Sequence, residues 1–376
     1  MPMTQLKKRR RANKHGSAAI TVARSRKEKK EKASSEPSET TSAKQPIYLV
    51  VEHGDEEPTH SVIEVTAGGA SRRLRSSRSG MSFTAVGTPY GPRIVGLGLD
   101  RTTLYAPKSS TEHSLPRLVY SKMHPVLITH GCKLYALSRR PSVVPGRDFM
   151  PWFHVLDLND IGDDLGWRGL PPPPIFPCRI NPLEYRDRIE VRVSSYAVVG
   201  SHILLSVQQE KGTGTCSFDV DAEQWEMVDG NNLPFSGQAV PLGGHRFVAP
   251  SKEKGGAAAV YYIKVFRPGT SGTGKTELSI EELPVISNGI APGQLLCSMG
   301  KGRFSSFDIR SIDPGPDAKL DKAQIVCRTY YEVEVEGVVS GSNSVVIAKQ
   351  QKQIFNLENT LSHLAYPSPV VAALTM

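Results

Sequence analysis

The dipeptide Leu-Pro follows a short apolar run four times, at Leu115-Pro116, Leu170-Pro171, Leu233-Pro234 and Leu283-Pro284, at intervals of 55, 63 and 50 residues. Self-similarity at a period near 50 marks one supersecondary unit that cannot bury its own faces and must stack on copies of itself. Before two of these points the same series recurs: FHVLDL then Trp167 ahead of Leu170, and CSFDVD then Trp225 ahead of Leu233. Each unit is built from short β-branched and aromatic runs, such as TTLYAP, PVLITHG, KLYALSRR and HILLSVQ. Runs of this composition, bounded by Gly, Pro and Asp, are strands. The 28 prolines and 33 glycines fall between them as turns, and almost no stretch has the i, i+3, i+4 spacing of a long amphipathic helix. The expected fold is therefore all-β, with three or four strands per unit and a proline at each exit.

Four strands per period of about 50 is what a kelch-like β-propeller blade requires, because each small sheet buries both faces against its neighbours. Residues 47–376 allow six blades, or five with long loops. The predicted blades are 81–116, 118–171, 191–234, 238–284 and 293–337. The sixth is expected to join IYLVVEHG and HSVIEV with SVVIAKQ and KQIFNL, since a ring closed by both ends of the chain leaves no exposed edge. In such blades Phe218-Asp219, Phe307-Asp308 and, more loosely, His154 to Asp157 read as an aromatic packed between blades followed by an Asp that accepts turn N–H groups. Trp167 and Trp225 are expected to fill space between blades.

The formal charge of +9 sits entirely in residues 1–46, where 13 Lys and Arg face 4 Glu; the remainder carries 33 of each sign. That segment has too few apolar residues to offset the entropy of ordering and is read as a disordered basic tail. Its two clusters, Lys7, Lys8, Arg9, Arg10 and Arg11, then Arg26, Lys27, Lys29 and Lys30, are separated by about a dozen residues and read as a two-part nuclear-import signal or as a solvated basic arm with no address, with a transit peptide as a third reading. Import machinery is thus an expected partner, and the nucleus or cytoplasm the expected location. No run approaches the roughly 20 apolar residues of a membrane-spanning helix, so no membrane partner is expected. The Arg/Ser cluster SRRLRSSRSG, Ser71 to Gly80, reads as an exposed loop. It has no interleaved aromatics for base stacking, and direct nucleic-acid binding is not expected.

The octet GTSGTGKT, Gly269 to Thr276, fits the phosphate-loop pattern G-x-x-x-x-G-K-[ST] at every defined position. A phosphate loop also needs a helix whose N-terminus faces the phosphates. Here AVYYIKVF precedes the octet as a strand, and TELSIEELPVIS follows it as another strand running to a Leu-Pro exit, so the octet is read as a hairpin tip. Cys132, Cys178, Cys216, Cys297 and Cys327 stand at least 30 residues apart and read as buried, reduced thiols. Asp157, Asp160, Asp163 and Asp164 lack the alternating spacing of a calcium loop and read as a solvated turn. No H-E-x-x-H and no G-x-S-x-G occurs. The sequence therefore assigns no catalytic residue, cofactor or metal site.

The blocks KLYALSRRPS, FHVLDL, W-R-G-LPPPP, VSSYAVVGSHILLSV and GTCSFDVDAEQWEMVDGNNLPFSGQA, across residues 81–335, resemble a plant, largely grass-expanded, family of kelch-like propeller proteins of unknown function. Gly214 to Ala239 is the most specific block. The resemblance implies a propeller, and some relatives carry F-box or kelch-repeat labels that imply presentation of targets for ubiquitin transfer. This chain departs from them in lacking the Leu/Pro-rich helical pattern of an F-box ahead of the blades, and in having VPLGGHRFVAP where an acidic, Trp-containing strand is expected. The leading expectation is a non-enzymatic platform that binds a protein partner. The alternatives are a substrate-presenting partner in the ubiquitin system, a propeller enzyme acting on a carbohydrate or related small molecule, and nucleic-acid binding through the tail.

Overall fold

Strands buried on both faces need apolar side chains pointing both ways, and TTLYA (Thr102–Ala106) and IYLVVEH (Ile47–His53) have that character. The computed structural model describes residues 45–376 apart from 55–57, 66–70, 76–79, 100, 141–148, 160–161, 163–164, 177–190, 209–213, 268–273, 287–292, 313–319, 334–344 and 359–362. The basic segment 1–44 lies outside the described residues. Among those described no helix forms, and 26 strands pair into six sheets.

The first three strands, β1 (Ile47–His53), β2 (Thr59–Glu64) and β3 (Ser71–Arg73), form the outer part of blade 1. Blade 2 is β4 (Ser82–Val86), β5 (Arg93–Leu97), β6 (Thr102–Ala106) and β7 (Thr111–Leu115), and blade 3 is β8 (Val126–His130), β9 (Lys133–Leu137), β10 (Phe153–Asp157) and β11 (Arg168–Leu170). Blade 4 is β12 (Arg192–Val199), β13 (His202–Gln208), β14 (Thr215–Asp219) and β15 (Gln224–Asp229), with β16 (Gly237–Gln238) added in parallel to β12. Blade 5 is β17 (Val240–Gly243), β18 (Arg246–Pro250), β19 (Ala258–Phe266) and β20 (Glu277–Leu283). After β21 (Val285–Ile286), blade 6 is β22 (Leu295–Gly300), β23 (Arg303–Ile312), β24 (Lys322–Val333) and β25 (Val345–Glu358). The last strand, β26 (Val370–Thr375), returns to pair with β1 as the inner strand of blade 1. The chain is a six-bladed β-propeller.

Four predicted blades, 81–116, 118–171, 191–234 and 238–284, lie where the repeat places them, whereas the predicted 293–337 holds only the inner three strands of blade 6; each Leu-Pro falls at or just beyond the end of an outer strand. The closing strand differs from expectation. VVIAKQ and KQIFNL lie in the single 14-residue β25, which pairs along its length with the 12-residue β24 of blade 6, while Ser344 of the expected run lies outside the described residues. That long hairpin occupies the segment, and the ring is closed instead by VVAALT, whose Val370 and Ala372 face the packed side. SRRLRSSRSG also differs in part, because Ser71–Arg73 is the edge strand β3, with Arg73 donating to Thr59 Oγ1 from Nε (3.1 Å) and Nη2 (2.7 Å). Charged residues on an edge discourage pairing with another chain.

The core is six apolar clusters, each shared by two neighbouring blades. Blades 3 and 4 meet through Phe153, Phe218 and Trp225, whose rings lie 5.0 to 5.4 Å apart. The tryptophans also link blades by hydrogen bonds. Trp167 Nε1 in blade 3 donates to the carbonyl of Pro116 at the exit of blade 2, and Trp225 Nε1 in blade 4 donates to Pro171 at the exit of blade 3, each at 2.9 Å. A proline has no N–H to occupy its surroundings, and its carbonyl is left for the next blade.

Candidate functional site

The inner strands β26, β4, β8, β12, β17 and β22 surround the axis, β12 reaching β17 through β16 and β18. At one end of the axis the segments leading into inner strands meet the residues beyond the second strands. Ser121–Pro125 leads into β8 and Ser236–Gln238 precedes β17, while Ser138–Arg140 follows β9 and Pro250 ends β18; together they help enclose a cavity of about 1090 Å³.

The lining of this mouth includes Lys122, His124, Arg139, Arg140 and Arg192, and no Asp or Glu among the described residues. Lys122 is only 4% exposed. Its Nζ donates to Pro151 O (2.7 Å) and Ser138 Oγ (3.1 Å). Both acceptors are neutral, and burial pushes this ammonium down to about 7. Removing a cation from water without an opposite charge disfavours its charged form. His154 on β10 is close enough to feel the charge of Lys122 and is held at about 4, first by its own burial and then by that charge.

Arg139 Nε donates to His124 O at 3.0 Å. Burial lowers the basicity of this guanidinium, and the positive charges of Arg192 and Arg140 lower it further. His124 has φ 46° immediately before Pro125, a left-handed conformation that a residue ahead of proline adopts at a cost. Its N–H donates to Gly80 O (2.7 Å) and its carbonyl accepts from Arg139, so the loop is tied to blade 2 on one side and blade 3 on the other. On the same loop Val119 (88% exposed) and Met123 (59%) present apolar surface to solvent. The carboxyl of Glu52, on β1, is close enough to His124 to sense its charge, but burial dominates and raises it.

The import-signal residues Lys7, Lys8, Arg9, Arg10, Arg11, Arg26, Lys27, Lys29 and Lys30 lie outside the described residues. Residues 269–273 of the octet lie outside the described residues; the octet falls in sequence between antiparallel β19 and β20, with Phe266 opposite Glu277, and a strand rather than a helix follows it. At its base Thr276 N donates to Glu226 of blade 4 (3.3 Å), and Arg267 donates to Thr276 Oγ1 (3.1 Å). Asp219 Oδ1 accepts the N–H groups of Asp221 and Ala222 (2.9 and 3.0 Å), and Asp157 Oδ1 accepts that of Asn159 (3.0 Å), both as turn residues. Asp308 does not follow that pattern. It lies inside the ten-residue β23 and pairs with Arg310 and Arg328, because β23 runs on through the position where a turn is expected. Asp160, Asp163, Asp164 and Cys178 lie outside the described residues. Cys216, Cys297 and Cys327 are buried and free, and burial raises all three thiols, Cys327 to about 11, which makes them packing groups.

Sequence reading did not single out Lys122, Arg139, Arg140 or Arg192. The available signal is positional: SKMHP leads into an inner strand, and SRR, 138–140, follows a second strand, so the fold brings both to the same end of the axis.

A family model described as "Protein of unknown function (DUF1668)" matches residues 44–355. No curated protein matches the chain. Among solved structures, TolB from Acinetobacter baumannii is 9% identical with a TM-score of 0.41, over 88% of this chain and 66% of the TolB chain. This chain thus spans slightly less than two thirds of that protein's length. The β-propeller domain of Cps50 (Swd1) from Myceliophteria thermophila is 8% identical with a TM-score of 0.37, over 83% of this chain and 96% of that domain.

Proposed function

Because this chain belongs to the DUF1668 family, whose function is unknown, we propose from its own geometry that it is a non-enzymatic interaction platform that receives an acidic segment of a partner protein at the channel mouth. The observation that carries this reading is the composition of that mouth, which gathers Lys122, Arg139, Arg140 and Arg192 without a carboxylate among its described residues. Catalysis on a carbohydrate would call for a carboxyl pair in the cavity, and the cavity favours anions instead. The exposed Val119 and Met123 beside the mouth suit a protein surface better than a small polar metabolite. In this reading the chain is a kelch-like plant propeller, and its basic tail delivers it to the nucleus. Presentation of partners to the ubiquitin system is a role the same face is able to serve without an F-box in the chain.

The test is proximity labelling in plant cells with the full chain and with an Arg139→Glu/Arg192→Glu variant of matched abundance. A reproducible set of neighbours with acidic segments that disappears in the variant is the expected result. Identical neighbour sets for both proteins would remove the mouth from the interaction.

A further inference from the structure

Lys122 has three N–H groups, and the protein uses two of them, on a hydroxyl and a backbone carbonyl. Neither neutralises its charge, and a buried ammonium without a counter-charge is among the costlier features a fold can keep. Around the mouth stand Arg139, Arg140 and Arg192, with the first close enough to the other two for their like charges to act on it. Holding Lys122 there costs free energy in the free protein, a cost that a bound anion would offset.

The donors specify which anion. Ser138 Oγ accepts from Lys122, which leaves the hydroxyl proton free to donate. Arg139 commits Nε to His124 O, which leaves the Nη1 and Nη2 N–H groups of its fork. The third N–H of Lys122 adds another donor, and Arg192 adds positive charge at the rim. A carboxylate offers two oxygens and one charge. A phosphate monoester offers three terminal oxygens and close to two charges at neutral pH, which matches both the donors and the cation excess. The strained His124 and its two backbone ties fix the loop that carries Lys122, so the site is formed before any ligand arrives.

We propose that the mouth is a phosphomonoester-binding site that accepts a phosphorylated side chain of a partner protein, with Lys122, Ser138 and Arg139 on the phosphoryl oxygens. Val119, Tyr120 and Met123, exposed on the same loop, would contact the apolar residues flanking the phosphorylated one. The proposal rests on the reading of this face as the binding face, and it adds the chemistry of what binds there.

The test uses the full chain and titration calorimetry with a degenerate phosphoserine peptide pool, the same pool unphosphorylated, the pool with glutamate in place of phosphoserine, and glucose 6-phosphate. The phosphoserine pool is expected to bind at least tenfold more tightly than the other three. Arg139→Gln, which removes a charge but keeps a neutral donor, is expected to abolish that preference, and Lys122→Met to abolish it as well, each with cooperative melting retained. Equal binding of phosphorylated and unphosphorylated pools, or of the glutamate pool, overturns the phosphate and leaves the platform standing. Tighter binding of glucose 6-phosphate overturns the protein source. Absence of binding by every phosphorylated probe overturns the site, and the platform then stands or falls by the labelling comparison alone.

Discussion

Lys122 illustrates how one buried residue ties stability to binding. Its folded value near 7 lies below the ordinary value of 10.5. Between those two values the unfolded chain binds the extra proton, so the stability contributed at this position rises as pH increases from 7 toward 10.5 and is lowest below 7. Burial lowers His154 and Arg139 and raises Tyr196, and because all three are present in both proteins their own titrations cancel when the variant is compared with the parent. Lys122→Met removes the penalty along with two hydrogen bonds. Its stability relative to the parent, measured by urea unfolding, is therefore expected to be at least about 1 kcal/mol more favourable at pH 7 than at pH 10. A difference that does not change with pH would show that the ammonium carries no such penalty. Nothing local in SKMHP announces this role, because burial of Lys122 is produced by Ser138 and Pro151, which are brought to it by other strands.

Between neighbouring elements, the recurring device is the bond from a tryptophan in one outer strand region to the proline carbonyl at the previous blade's exit. Trp225→Phe keeps a ring against Phe153 and Phe218 but loses the bond to Pro171 O, and is expected to cost about 1–2 kcal/mol in urea unfolding. Trp167→Phe should cost a similar amount through Pro116 O, and the two should add because each bond joins a different pair of blades. Full stability in both variants would make the tryptophans packing groups alone. The sequence showed Trp and Leu-Pro at a fixed order but not that one binds the previous copy of the other. A second repeat marker was legible and passed over: the inner hairpins of blades 3, 4, 5 and 6 each turn through two residues, the first at positive φ, namely Gly131 (57°), Gly200 (60°), Gly244 (57°) and Lys301 (52°). The octet, by contrast, was legible for what it is, since the alternation after Thr276 is that of a strand.

For the molecule as a whole, ring closure is the weak point, because blade 1 is assembled from both ends of the described chain. Removal of Val370–Met376 takes away β26 and exposes the ladder edge of β1, an apolar strand fully buried at Leu49, Val50 and Val51. The truncated chain is expected to lose cooperative unfolding and to associate through that edge, measured by thermal denaturation and light scattering, and addition of the peptide PSPVVAALTM should partly restore the monomer. A truncated chain that melts like the parent would place closure elsewhere. The same geometry explains the cationic mouth: SKMHP, LSRR and the start of β12 are separated in sequence, and only a closed ring turns them toward one axis.

The sequence by itself determined the strand content, the period, the proline exits and the hairpin nature of the phosphate-loop-like octet, because all of these follow from alternation and turn chemistry within a few residues. Only the tertiary structure decided which strand closes the ring and which basic residues converge. Closure depends on strands of matched length finding one another across the whole chain, and convergence depends on where six inner strands point once they have done so.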